Sequence, residues 1–206
     1  MRQVHTSFVA LPALALLLSA CGDAPPPPWP QDAHNAKAIE VGSAAAGNLA
    51  STLIGHLTAA VDSAGPAGAI DFCATEALVL TAQTVADMEG VEIKRTTTRV
   101  RNPANAPDSL EAEALAWFES QIASTGAVPA EWVQVEGQEA LRYYRPLVTN
   151  ELCVNCHGAV EALAPEVAAA LAERYPQDQA TGYAPGDFRG LIRVRIARAA
   201  LEPTGP

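Results

Sequence analysis

Basic residues are scarce in this chain of 206 residues. It contains 13 Lys and Arg against 23 Asp and Glu, so its formal net charge at pH 7 is −10. A protein that binds nucleic acid or an anionic lipid surface through charge needs the opposite balance. The composition therefore argues against both kinds of partner, and it is compatible with a basic redox partner.

Long apolar runs are also missing, apart from one at the N-terminus, and the chain has no internal repeat. Residues 1–20 carry a positive charge at Arg2, an apolar stretch from Phe8 to Leu18 and small residues before Cys21. This pattern is typical of a secretory signal peptide and is too short for a stable transmembrane helix. The run from Leu18 to Cys21 resembles a bacterial lipobox. We therefore predict cleavage before Cys21 and lipidation of that cysteine.

Residues 21–32 are predicted to form a tether between the lipid and a folded domain at residues 33–200. Five prolines fall between residues 25 and 30, and this density favours extended polyproline II. Several acyl chains on one residue give stable anchoring. We expect a periplasmic lipoprotein anchored to a bacterial membrane, and Gly22 in place of aspartate favours the outer one.

Cysteine is rare too, with four in all, yet two of them stand in the run Cys153-Val154-Asn155-Cys156-His157. This spacing is typical of c-type haem attachment, in which two thiols bind the porphyrin and the adjacent histidine reaches the iron. A zinc site would need a second Cys or His pair, which the sequence lacks. A thioredoxin-like pair would open a helix after a strand, whereas this motif follows residues 147–152 and runs into Gly158. The motif predicts one covalent haem c, with His157 as proximal ligand, and export agrees because bacteria attach haem c outside the cytoplasm.

If Cys21 is lipidated and Cys153 and Cys156 bind the porphyrin, Cys73 has no assigned role. From the residues alone, it is either a buried apolar side chain on its helix or the second axial ligand of the iron. A thiolate ligand would favour ferric iron, whereas methionine would raise the reduction potential. The other candidates for this position are Met88, His34 and His56, followed by Lys37 and Lys94.

Periodicity and turn residues predict a fold that mixes helices and strands. The predicted helices cover residues 37–60, 68–88, 109–122 and 165–174. Gly65-Pro66 separates the first two, and Asp108 with Glu111 forms a capping box for the third. The predicted strands cover residues 91–100, 132–136, 141–148 and 191–197, with a hairpin at Gly137. This order favours an α+β domain with a central antiparallel sheet and N-terminal helices.

Four segments in order resemble the Tll-like c-type haem domain family, over about Ala36 to Ile196. Members occur as small bacterial cytochromes and as sensory modules ahead of histidine kinases. The resemblance implies a PAS-like α+β fold, covalent haem, His157 as the proximal ligand and Cys73 as the distal one. The matching segments are Ala69-Ile70 with Cys73, Arg101 to Asp108, Cys153 to Gly158, and Tyr175-Pro176 followed by Asp178, Ala180, Gly182-Tyr183, Gly186-Asp187 and Gly190.

Three further residues are candidates for the haem pocket. Arg101 and Asn105 lie in a segment of prolines and asparagines, which is otherwise explained as a rigid turn before a helix. Tyr143 lies near the haem motif, with strand packing as its alternative.

Arg193 and Arg195 alternate with apolar residues of the last strand, so they either pair with haem propionates or lie on a solvated surface.

Three classes of function fit these residues. Electron transfer suits a single exported haem domain. A haem-based redox or gas sensor that signals through a partner protein suits the PAS-like resemblance, although no output domain precedes Pro206. A haem enzyme such as a peroxidase needs an open iron position beside an acid–base residue, and Cys73 would close that position. We therefore predict a lipid-anchored mono-haem cytochrome in electron transfer, with a sensor as the alternative and an enzyme less favoured.

Overall fold

The computed structural model describes residues 31–202. The predicted signal peptide, Cys21 and most of the tether lie outside these residues, and the last two residues of the tether already belong to a helix. The α-helices are α1 Gln31–Thr75, α2 Ala77–Gln83, α3 Ser109–Thr125, α4 Glu151–His157, α5 Pro165–Arg174 and α6 Arg198–Leu201. The strands are β1 Val91–Thr96, β2 Trp132–Glu136, β3 Ala140–Val148 and β4 Phe188–Ala197.

Helix α1 is interrupted where the sequence predicts a break. Gly65 has φ 70° and ψ 173°, a conformation that suits a residue without a Cβ. Pro66 follows, and its missing N–H costs nothing at the start of the second half of α1. The predicted second helix over 68–88 is wrong in its later part, because α1 ends at Thr75 and α2 ends at Gln83.

The four strands form one antiparallel sheet in the order β1-β4-β3-β2. Strand β4 is central, with Val194 opposite Ile93 on one side and opposite Tyr143 on the other. Strands β2 and β3 form the predicted hairpin, in which Val133 is opposite Tyr143. The prediction of a PAS-like α+β fold with N-terminal helices and a central antiparallel sheet is confirmed.

Helix α1 covers one face of the sheet. The shared core contains Ala38, Ala45, Ala46, Leu49, Leu141, Tyr143, Ile192, Val194 and Ile196. The helix approaches closely at Gly42, where an added Cβ would overlap the ring of Tyr143. Because Gly42 has no side chain, the first half of α1 lies directly against the ring of Tyr143.

Helix α3 packs across the other face of the sheet through Leu115 and Phe118, which contact Tyr144 and Leu191. The predicted capping box is present. Asp108 Oδ1 accepts a hydrogen bond from the Glu111 N–H at 2.7 Å, and Glu111 Oε2 accepts one from the Asp108 N–H at 3.1 Å. Two backbone donors at the helix start are thereby satisfied.

A third apolar cluster holds the second half of α1 against α5. Ile70 packs with Val167, Leu171 and Tyr175, and Cys156 of α4 borders this cluster. The cluster therefore fixes the position of α4 beside the second half of α1. Within residues 31–202, no helix combines the length and the hydropathy that a bilayer span requires.

Candidate functional site

The Cys-x-x-Cys-His motif forms most of the short helix α4. Asn150 caps this helix, since its Oδ1 accepts a hydrogen bond from the Cys153 N–H at 3.2 Å. The helix ends at Gly158, whose N–H donates to the Val154 carbonyl at 2.9 Å. The expectation that this motif does not follow a strand at the start of a helix is wrong, because α4 comes directly after β3. Placement at the start of a helix after a strand is therefore a feature that this motif shares with thioredoxin-like pairs.

His157 is held in one orientation by a backbone carbonyl. Its Nδ1 lies 2.6 Å from the carbonyl oxygen of Ala180. A carbonyl only accepts hydrogen bonds, so Nδ1 carries the proton and Nε2 presents its lone pair. Burial, assisted by the charges of Arg101 and Arg189, lowers the pKa of His157 to about 3. The imidazole is therefore neutral at pH 7, which is the form that binds a metal.

The loop between α5 and β4 also fixes the backbone around His157. The Tyr183 N–H donates to the His157 carbonyl at 2.9 Å, and the Gly182 N–H donates to the Gly158 carbonyl at 2.6 Å. Gly182 has φ 75°, a conformation that favours glycine, so this close turn depends on that residue. The turns of this loop therefore position the candidate ligand.

Arg101 and Asp178 pair with each other beside His157. Arg101 Nη2 lies 2.9 Å from Asp178 Oδ2 and donates to the Cys156 carbonyl at 2.6 Å, and Nη1 lies 3.5 Å from His157 Nε2. Asp178 Oδ1 accepts a hydrogen bond from the Ala180 N–H at 2.8 Å, in the residue whose carbonyl binds His157. Sequence reasoning missed this role of Asp178, although the residue stands in one of the matching motifs.

Cys73 and the haem motif line one cavity of ≈ 110 Å³. Cys73 projects from the second half of α1, and Cys153, Cys156 and His157 border the same space. Burial raises the pKa of the Cys73 thiol, while the charges of Arg95 and Arg101 oppose that effect. The remaining lining is mostly apolar and consists of Leu57, Val61, Ala69, Ile70, Arg101, Leu152, Asn155 and Tyr175.

The other candidate axial ligands do not line this cavity. Met88 packs against the core between α1 and the sheet. His56 is exposed and stacks on Phe72 with ring centroids 5.9 Å apart, and Nε2 of His34 lies 4.0 Å from a carboxylate oxygen of Glu202. Lys37 contacts Glu40, and Lys94 contacts Glu111. The structure therefore brings Cys73, and none of these residues, into the cavity of His157.

The three further pocket candidates lie in different parts of the structure. Arg101 lines the cavity of Cys73, and Asn105 lines a neighbouring cavity that also reaches His157. Tyr143 lines neither: it is 2% exposed and packs against Gly42 in the main core. The placement of Tyr143 at the pocket is wrong, because its strand turns that side chain towards α1.

Arg193 and Arg195 lie on the face of the sheet that α3 covers. Arg193 pairs with Glu111 and Glu92 at 3.1 and 3.4 Å, and Arg195 pairs with Glu136 at 2.9 Å. Neither arginine borders the cavity of Cys73 or the one that Asn105 lines. Both arginines are therefore engaged inside the chain.

The donor set fits a covalently bound haem iron. One largely apolar space is bordered by Cys73, Cys153, Cys156 and His157, and imidazole and thiolate are both axial haem ligands. At ≈ 110 Å³ this space is smaller than the roughly 300 Å³ at which small-molecule pockets begin. Residues 31–202 contain no group of three or more His, Cys, Asp and Glu side chains able to hold a metal ion.

One family model and one solved structure are similar to this chain. The chain is similar to the cyanobacterial heme-protein Tll0287, whose crystal structure matches with 23% identity over 71% of this chain and 96% of that one, at a TM-score of 0.49. No curated protein matches the chain significantly. The model of the Tll0287-like family matches residues 31–197, which is most of the sequence. The chain therefore belongs to the Tll0287-like family.

Proposed function

We propose that this protein is an exported, lipid-anchored cytochrome that carries electrons on one covalently bound haem c. The observation that supports this most directly is the shared cavity of Cys73, Cys153, Cys156 and His157. When bound, haem supplies one-electron redox chemistry. Cys153 and Cys156 would hold its macrocycle, His157 Nε2 would bind the iron as proximal ligand, and Cys73 would bind it from the other side.

The chain itself would set the electronic properties of this site. The hydrogen bond from His157 Nδ1 to the Ala180 carbonyl, at 2.6 Å, fixes the ring and raises its basicity as a ligand. The apolar side chains around Cys73 exclude water, and burial of that kind shifts reduction potentials. Two axial ligands from the chain leave no iron position for a substrate, which favours electron transfer over an enzyme such as a peroxidase.

The attachment of haem is tested by expressing the full chain in a bacterium that matures c-type cytochromes. We expect the mass of the protein to increase by one haem, and the haem to remain bound after denaturation. A Cys153→Ala, Cys156→Ala double variant is expected to lose all covalent haem, whereas Cys73→Ala keeps it. Recovery of haem-free wild-type protein under these conditions would contradict the proposed cofactor.

The axial role of Cys73 is tested by electron paramagnetic resonance of the oxidised protein. A low-spin thiolate signal is expected in the wild type and is expected to vanish in Cys73→Ala. Met88→Ala is the matched control, because Met88 packs against the main core and does not line the cavity. An unchanged spectrum in Cys73→Ala would exclude this cysteine as the ligand.

A haem-based redox or gas sensor is the second candidate function. Cys73 lies on α1, the helix that packs along the sheet and is interrupted at Gly65, so release of Cys73 from the iron would free the second half of α1 from its ligand bond. Binding of carbon monoxide to the reduced protein separates the two functions. Rapid displacement of a chain ligand favours a sensor with a signalling partner, whereas an inert iron in both redox states favours an electron carrier with a redox partner.

The lipid anchor is proposed from the sequence alone, at Cys21. Metabolic labelling with a radioactive fatty acid is expected to mark the wild type and leave Cys21→Ala unlabelled. Fractionation of a bacterium with two membranes is expected to place the labelled protein in the outer one. Release of unlabelled wild-type protein into the periplasm would contradict the anchor and leave the haem proposal intact.

A further inference from the structure

A second cavity adjoins the site and differs from the first in its chemistry. It has a volume of ≈ 150 Å³ and shares His157 with the cavity of Cys73. Two of its walls are cationic, Arg95 from β1 and Arg189 from β4, and no aspartate or glutamate lines it. The other lining residues are Thr96, Thr97, Asn105 and Leu147. We call this space the arginine cavity.

Two residues that line the arginine cavity have a buried side-chain nitrogen without a hydrogen-bond partner, namely Nε of Arg95 and Nε of Arg189. Arg189 Nη1 does donate to Thr97 Oγ1 at 2.8 Å and to the Arg99 carbonyl at 3.1 Å, but both acceptors are neutral. Neither arginine pairs with a carboxylate among residues 34–202 whose side chains are described. Both arginines are partly buried, and removing a guanidinium from water without an anionic partner carries a desolvation cost.

The nearby acid is already engaged. Asp178 pairs with Arg101 at 2.9 Å and accepts the hydrogen bond from the Ala180 N–H at 2.8 Å, and it forms no ion pair with Arg95 or Arg189. Burial lowers the pKa of Arg95 and of Arg189, and the charge of Asp178 only partly offsets this effect at Arg189. A planar guanidinium fork matches a carboxylate in shape as well as in charge. The cavity therefore suits one or two carboxylates.

We propose that the arginine cavity binds the propionate carboxylates of the haem, with Arg95 and Arg189 as their charge partners. This inference rests on the proposed function. The position of the arginine cavity supports this inference as well as its charge. His157 borders both cavities, and the macrocycle attached at Cys153 and Cys156 would occupy the apolar one. The arginines that the sequence suggests for this role, Arg193 and Arg195, are paired with glutamates elsewhere.

The test uses the full-length protein and the pH dependence of its reduction potential, which reports ionisation of propionates near the iron. A cation beside a carboxylate lowers the pKa of that carboxylate by about 1–3 units. Arg95→Gln and Arg189→Gln are therefore each expected to raise the pH of the propionate inflection by about one unit or more. Arg195→Gln removes the same charge from the same sheet and is expected to leave the inflection unchanged.

A free anion from solution has the same chemistry as a propionate and is distinguished by a phosphate titration of the oxidised protein. We expect inorganic phosphate to leave the wild-type inflection in place, because the cavity is already filled. Phosphate binding that depends on Arg95 would assign the cavity to a free anion and overturn the inference. Infrared difference spectra with ¹³C-labelled propionates give a second reading, since the labelled bands are expected to shift in Arg189→Gln as well as in Arg95→Gln.

The outcomes separate this inference from the proposed function. Wild-type protein without covalent haem contradicts both. Covalent haem in every variant, with the same inflection and the same labelled bands in Arg95→Gln, Arg189→Gln and Arg195→Gln, overturns the propionate site alone. If one cavity variant does not fold, as judged by circular dichroism, the other still decides the question because each arginine carries its own unpartnered Nε.

Discussion

Two regions of the molecule contain arginines that are buried or half-buried, and the two sets of arginines differ in their charge partners. Under α3, Arg193 Nε lies 3.1 Å from a carboxylate oxygen of Glu111, a residue with no exposed surface, and Lys94 Nζ lies 2.8 Å from the other oxygen. In the arginine cavity, Arg95 and Arg189 have no carboxylate within ion-pair distance among the described side chains. We call the first region the paired layer; it also contains Arg142 with Asp108 and Glu136.

This difference distinguishes cations whose ion pairs stabilise the fold from cations for which we propose a ligand. In the paired layer each cation meets an anion from another element, so the pairs join α3, β1, β3 and β4 once the fold has formed. In the arginine cavity the same type of side chain is partly buried without a carboxylate partner, which carries a desolvation cost. These cations without a carboxylate partner lie where we propose that a ligand binds.

The largest expected effect comes from breaking the paired layer at Glu111. In Glu111→Gln, Lys94 and Arg193 lose a fully buried carboxylate, and removal of one partner from a buried pair typically costs about 3 kcal/mol or more. We expect the free energy of unfolding to fall by about 3 kcal/mol, measured by urea denaturation of the holoprotein. The visible spectrum of the haem is expected to stay unchanged.

Glu113→Gln is the matched control, because Glu113 lies on the same helix and accepts one neutral hydrogen bond, from Gln134 at 3.2 Å. It is expected to change stability by less than about 0.5 kcal/mol. Equal losses in the two variants would show that the ion pairs at Glu111 contribute nothing beyond ordinary helix packing.

Local sequence signals predict the parts of the fold that depend on neighbours in sequence. Strand β2 and helix α5 have the predicted bounds, and the capping box at Asp108 is present. Helix α4 is missed because its seven residues are too few for a periodic pattern, and its start depends on the cap at Asn150. The division between α1 and α2 is missed because no glycine or proline marks Thr75 to Ala77.

The residues of the candidate site likewise divide into those that local sequence predicts and those that only the fold brings together. Cys153, Cys156 and His157 are adjacent in sequence, so their spacing predicts a shared role, and Cys73 follows from the family resemblance. Arg95 and Arg189 are far apart in sequence and come together because β1 pairs with β4. Arg193 and Arg195 alternate along β4 in a pattern that could face either side of the sheet, and the register alone decides the side.

A smaller effect is expected on the functional side, at Asp178. Asp178→Asn keeps an acceptor for the Ala180 N–H but leaves Arg101 without its carboxylate. Because both side chains retain about a tenth of their surface in solvent, we expect a loss of about 2 kcal/mol, below that for Glu111. Unlike Glu111→Gln, this variant is also expected to perturb His157, the proposed proximal ligand, since Arg101, whose Nη1 lies 3.5 Å from His157 Nε2, loses its carboxylate.

The readout for the proximal ligand is the iron–histidine stretching band in resonance Raman spectra. It is recorded for the reduced protein in a Cys73→Ala background, and we expect a lower frequency with Asp178→Asn. Asp187→Asn is the control, because Asp187 accepts the Ala184 N–H at 2.7 Å in the same loop and makes no ion pair with a described residue. The same band position in both variants would limit Asp178 to a structural role.

The smallest expected effect is the dependence of the paired layer on pH. Burial alone would raise the pKa of Asp108, but the hydrogen bond from the Glu111 N–H and the pairing with Arg142 outweigh it and hold the pKa below the ordinary 3.8. Hydrogen bonds from Arg142 and Arg195 likewise lower the pKa of Glu136 below the ordinary 4.5. Folding therefore favours both ionised carboxylates. Their contribution is complete above about pH 4.5 and is lost as the pH falls through the lowered pKa values.

Arg142→Gln isolates this contribution, because Arg142 contacts both carboxylates. We expect the stability of the wild type, measured by urea denaturation, to decline more steeply between pH 5 and pH 3 than that of the variant. The difference should not exceed about 1 kcal/mol, since both acids are partly exposed and water screens the pairs. The iron ligands titrate alike in both proteins, so subtracting one curve from the other removes their effect. Parallel curves would show that Arg142 does not stabilise the ionised forms of Asp108 and Glu136.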